Sequence, residues 1–209
     1  MTSQSHPSIF AEATSVERLE RAAASLRAHG FEVEVLADAT AARARVKDLI
    51  PEGAGVLTAA SETLRLSGIE EDINVSGRYD AIKPRAWAMD RATEGDDIRR
   101  LIASPDVIVG SVAAVTETGS MVVASASGSQ LPGYTLGAAV AIWIVGAQKI
   151  VPDLPTALRR VEEYALPLES ARVQAAIGSP SSVNFLLIMN ANYVPGRGKV
   201  LLLREAIGF

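Results

Sequence analysis

Asp106-Val-Ile-Val-Gly-Ser-Val-Ala-Ala-Val-Thr-Glu-Thr-Gly-Ser-Met-Val-Val-Ala-Ser-Ala126 contains two apolar segments joined by a polar knot, Thr116-Glu117-Thr118-Gly119-Ser120. Residues 107–109 are unbroken apolar, as a strand covered on both faces must be. Residues 121–124 and 139–145 repeat that character. Helix-period segments lie between such runs, so the pattern predicts an α/β fold whose largely parallel central sheet contains residues 107–109, 121–124 and 141–145. The knot sets a carboxylate, three hydroxyls and a glycine near the end of a buried strand, which is where open α/β sheets bind ligands. The same residues also read as a solvated hairpin turn.

Upstream, Thr14-Ser-Val-Glu17 has the form of a capping box, followed by Val16, Leu19, Ala22, Ala23 and Leu26 at helical spacing and by the stop signal Gly30. Residues 31–36 alternate at period two, residues 40–50 return to a helical pattern ending before Pro51, residues 54–57 read as a short strand, and residues 61–68 as a short helix. Residues 69–90 look irregular. Their cluster of Arg78, Tyr79, Lys83, Arg85 and Trp87 suits either an anion or an ordinary packed loop. Residues 96–104 resume helix.

Downstream, the small-residue loop at 125–134 can present successive backbone amides to an anion, but its spacing matches neither a phosphate loop nor a dinucleotide fingerprint. A helix is expected after Asp153, with Pro167 breaking it before a second segment through Ile177. Residues 183–189 and 199–203 read as a final strand pair. Trp143, apolar on both flanks, is expected inside the core. No repeat or linker interrupts the chain, which predicts one domain over residues 1–209.

The net charge of -4 offers no basic field for nucleic acid or anionic membrane. No cysteine is present, which excludes disulfides, a thiol nucleophile and thiolate-held iron-sulfur clusters within the chain. His6 lies in a polar N-terminal stretch and His29 just before Gly30; neither reads as a metal ligand, and no cofactor is expected. The first residues lack the basic and apolar regions of a signal peptide and no stretch approaches a membrane span, which predicts a cytoplasmic protein.

Taken in order, Ser61-x-Thr63-Leu64 with Gly68-Ile69, Asp106-Val-Ile-Val-Gly110, Glu117-Thr118-Gly119 before a Val-Val strand, Leu131-Pro132, and Ile144-Val-Gly-Ala-Gln-Lys-Ile-Val-Pro-Asp153 resemble the LUD domain, the lactate-utilisation protein C family. The resemblance covers residues 40–209. It implies a three-layer α/β sandwich similar to that of the sugar-phosphate isomerases and deaminases and the CoA transferases. It also implies a role in L-lactate utilisation, as an accessory or ligand-binding subunit beside partners that carry iron-sulfur clusters. An autonomous isomerase, deaminase or CoA transferase, or a metabolite-sensing regulator, are the alternatives. In many relatives a polar residue stands near the start of the strand at Ala139-Val-Ala-Ile-Trp143; here it is apolar, so no proton-transfer role is carried over to that strand.

Among candidate site residues, Glu117 resembles in placement the nucleophilic glutamate of CoA transferases, and a carboxylate there can also act as a base. Its structural alternative is to fix the turn. Thr116, Thr118, Gly119 and Ser120 are candidate donors to a small anionic metabolite. Ser61 and Thr63 can cap their helix, contact a ligand, or both. Lys149, set within an apolar run, either reaches a carboxylate or phosphate or packs its stem with its amine in water. Asn184 either reads a polar group of the ligand or satisfies a loop. No metal site is expected, and a homo-oligomer is compatible with the sequence.

Overall fold

The computed structural model describes residues 9–209; His6 and the N-terminal stretch read above lie outside the described residues. In chain order the strands are β1 (Glu32–Leu36), β2 (Gly55–Thr58), β3 (Asp80–Ala81), β4 (Val107–Gly110) and β5 (Ala114–Thr116). They continue with β6 (Met121–Ser125), β7 (Val140–Gly146), β8 (Ile150–Val151), β9 (Phe185–Met189) and β10 (Gly198–Leu203). The helices are α1 (Val16–Ala28), α2 (Ala39–Leu49), α3 (Glu62–Leu66), α4 (Ile69–Val75), α5 (Ile82–Ala88), α6 (Gly95–Ala103), α7 (Leu154–Arg160) and α8 (Leu166–Ile177).

The central sheet has six strands in the order β1-β10-β7-β4-β2-β3, every neighbouring pair parallel. Side chains alternate across a strand, and the two faces therefore feed two cores. Ile108, Ala141, Trp143, Val145, Val200 and Leu202 pack with Leu19, Ala22, Ala23 and Leu26 of α1. Val107, Val109, Ile142, Ile144, Leu201 and Leu203 pack with Ala42, Val46, Leu64, Ile69 and Ile73 of α2, α3 and α4. The result is a three-layer α/β sandwich. Trp143 is 1% exposed, held between the rings of Phe31 and Tyr134. Burying so large an aromatic is worth roughly 4–6 kcal/mol at about 25 cal/mol per Å².

Residues 121–124 are not in the central sheet. The knot at 116–120 turns the chain back, so β6 pairs antiparallel with β5 in a separate sheet of four strands, β8-β5-β6-β9. Its apolar run has the same cause as in the central sheet, cover on both faces: Met121 and Val123 join the α1 side of the core, and Val122 joins a third cluster with Ala157 and Val161. Likewise residues 183–189 and 199–203 do not pair with each other. β9 lies antiparallel on β6, whereas β10 inserts between β1 and β7.

Local corrections have local causes. Ser15, not Thr14, caps α1, its Oγ accepting from the Arg18 amide. Residues 69–90 contain α4 and α5, whose buried faces are carried by Ile69 and Ile73 and by Ile82 and Ala86. Pro167 does not break the helical path. Its missing N–H falls directly after a widened π turn, Val161–Ala165, in which the Leu166 amide donates to the Val161 carbonyl, and α8 then runs on to Ile177.

Candidate functional site

From β2 the chain continues outward to β3, whereas from β4 it leaves for β5 and β6 of the small sheet and re-enters the central sheet on the other side of β4, at β7. The loops leaving the carboxyl ends of β2 and β4 therefore diverge, and a crevice opens between them, the usual ligand position in such sheets. A cleft of ≈ 210 Å³ occupies it. Ala59, Ala60, Ser61 and Glu62 form one bank, and Ser111, Val112 and Ala113 the other. Lys149, Val161 and Ala165 also border it, as do Ser125, Ser127, Ser129 and Gln130 of the small-residue loop and Ser181 to Val183.

Lys149 is 1% exposed. Its Nζ donates to Thr63 Oγ1 at 2.9 Å, Ser111 Oγ at 3.0 Å and the Val112 carbonyl at 3.1 Å. Both hydroxyls place their own protons elsewhere, Thr63 on the Ile207 carbonyl and Ser111 on that of Ile144, so all three partners are acceptors and together match the three donors of an ammonium. Burial, and next the neighbouring Arg160 guanidinium, hold the Lys149 pKa well below the ordinary lysine value.

Arg160, fully buried, donates to the carbonyls of Ala113, Gln148 and Phe10 and stacks over the Tyr164 ring at 5.0 Å. Burial pushes its pKa down to about 10. The two cations thus brace the β4 and β7 loops against each other. Among the described residues, the hydrogen-bond partners of both are neutral oxygens, with no carboxylate among them. Glu62 and Glu169 also line the cleft, but each is engaged by an arginine, Arg65 and Arg172; a buried lysine with no carboxylate partner of its own therefore favours an anion there.

Ser111 is set by packing as well as by its bonds. A side chain at Gly110 would have its Cβ 1.7 Å from the Tyr134 hydroxyl. The glycine lets that hydroxyl reach the Ser111 carbonyl, to which it donates at 3.4 Å. Tyr134 is fixed in turn by Arg197, whose guanidinium donates to the carbonyls of Gly133, Tyr134 and Ala138.

The structure places Ser61 and Lys149 on this cleft, with Thr63 fully buried behind it as a partner of the Lys149 amine. Ser61 both lines it and caps α3 through the Leu64 amide. The amine of Lys149 is buried rather than in water. The knot lies elsewhere. Glu117 pairs with Arg18 and Arg21 of α1, each at 2.8 Å, its carbonyl accepts from Ser25 Oγ, and His29 Nδ1 meets the Gly119 carbonyl. Thr116 Oγ1 bonds Thr118 Oγ1 and the Ser120 amide, and Ser120 Oγ donates to Asn190. None of Thr116, Glu117, Thr118, Gly119 or Ser120 borders the cleft. Asn184 donates to the Ala126 carbonyl and satisfies a loop.

Sequence reasoning missed Ser111 and Arg160. Ser111 could have been found as the hydroxyl directly after the strand-ending Gly110, and Arg160 by its helical spacing from buried Ala157. Among the described residues no group of three or more His, Asp or Glu is placed to hold a metal ion, and no helix is long and apolar enough to cross a membrane.

The family model for the LUD domain matches residues 19–202. The chain belongs to the LUD-domain family. A crystal structure of a DUF162 family protein from Deinococcus radiodurans is similar in fold, with a TM-score of 0.54 at 15% identity, covering 92% of this chain and 99% of that one. No curated protein matches the sequence. The LUD match spans both banks of the cleft together with Lys149 and Arg160.

Proposed function

We propose that this LUD-domain protein binds a small carboxylate metabolite in the cleft, with the Lys149 ammonium as counter-charge and Ser61 and Ser111 as hydrogen-bonding neighbours. Membership of the family supports an association with lactate utilisation in general. The finer reading is a cytoplasmic accessory or ligand-binding subunit for L-lactate or its oxidation product, working with partners that carry the iron-sulfur clusters this cysteine-free chain cannot hold. The observation that carries the binding reading is a buried ammonium without a carboxylate partner beside a hydroxyl-lined cleft. Glu117 plays no part in it, because two arginines of α1 already occupy its carboxylate.

Calorimetric titration with L-lactate and with pyruvate tests the proposal. Lys149→Met keeps much of the stem and removes the charge. A charge-assisted hydrogen bond is worth about 1.5–3 kcal/mol, so the variant should bind about ten- to a hundredfold more weakly while remaining folded, the loss of the three hydrogen bonds being offset in part by the removal of a buried charge. Equal affinity in the folded variant would show that Lys149 is only a brace between loops.

A further inference from the structure

From residue 173 to residue 196 the chain carries no Asp, Glu, Lys, Arg or His, in a protein in which 21% of residues are charged. This segment is not core. α8, whose last turns it includes, has no buried residue, and Leu186 and Tyr193 are 50% and 96% exposed. Charge is therefore missing where surfaces ordinarily carry it.

The centre of the segment is β9, the edge of the four-stranded sheet, whose sole strand neighbour among the described residues is β6. Among the described residues no backbone group pairs with its other edge, which presents a row of open N–H and C=O groups. Proteins blunt such edges with lysine, proline or a bulge, and Phe-Leu-Leu-Ile-Met has neither lysine nor proline. Leu187 and Met189 pack against the core, while Leu186 and Ile188, which alternate with them, lie open on the other face.

We infer that β9 pairs antiparallel with β9 of a second copy about a twofold axis, joining the two small sheets into one. Charge selects this occupant. A twofold axis sets residues near it against their own counterparts, so a charged residue there would face its like, and a charge-free segment meets itself without repulsion. Ser181, Ser182 and Val183 immediately before it line the cleft, so the interface would abut the site.

Sedimentation equilibrium of the purified chain should give twice the chain mass of 22.0 kDa. The double variant Leu186→Lys, Ile188→Lys changes two side chains that are already exposed and should sediment as a monomer with the wild-type circular dichroism spectrum. A wild-type monomer at micromolar concentration overturns the inference, as does a folded double variant that remains dimeric. Should the variant not fold, hydrogen exchange on the wild type decides. Protection of the β9 amides that falls on dilution supports the pairing, and protection independent of concentration refutes it.

Discussion

A lysine ammonium withdrawn from water gives up hydration that three neutral acceptors replace only in part. That is the condition of Lys149, and it makes its proton count responsive to whatever enters the cleft. In the free protein its pKa is depressed, first by burial and then by Arg160. A bound carboxylate favours the ammonium and raises that pKa. Affinity for L-lactate should therefore be constant below the depressed value and fall as pH rises above it, with proton uptake on binding in the window between the free and bound values. Titrations in buffers of differing ionisation enthalpy measure this directly, and an affinity independent of pH from the mildly acidic to the alkaline range, with no proton uptake, would contradict it. Glu117 has the opposite character. Its partners Arg18 and Arg21 are 45% and 57% exposed, and such pairs are worth about 0.2–1 kcal/mol each. Glu117→Gln should lower the melting temperature by roughly 1–8 °C and leave the calorimetric affinity for L-lactate unchanged. A lost affinity at unchanged melting temperature would return this residue to the site.

Elements explain why the knot is structural. The turn joining β5 to β6 sits on α1, and the seat is its glycine. Gly119 has φ +89, and a Cβ there would lie 2.8 Å from the Ser25 carbonyl carbon. Gly119→Ala should therefore cost left-handed strain of about 1–2 kcal/mol in addition to the displacement of α1 from the turn. A thermal melt should fall by more than 4 °C or so; a variant as stable as the wild type would mean that helix and turn separate freely. Polar residues interrupting apolar strands mark a strand end in either case. What the sequence does not show is which neighbour that end meets, and here α1 reaches it first with Arg18 and Arg21.

At the scale of the whole molecule, the apolar runs at 107–109 and 141–145 were readable as central strands because unbroken hydrophobicity reports cover on both faces. The same signal in residues 121–124 could not say which sheet provides the cover. Residues 69–90 concealed two short helices because each buries only a pair of residues, too few to establish a period. Of the site, Lys149 was visible as a charge inside an apolar run, and Ser61 and Thr63 as hydroxyls at a helix start. Ser111 and Arg160 gain their meaning only where the β4 and β7 loops meet, a long-range contact that no local pattern encodes. The bond from Lys149 to Thr63 joins residues 86 positions apart, and that to Ser111 residues 38 apart. The anchorage of the ammonium thus exists only in chains that have finished folding. A metabolite held there withdraws molecules from the unfolded pool by mass action, so the supply of that metabolite would help to set how long each copy survives proteolysis.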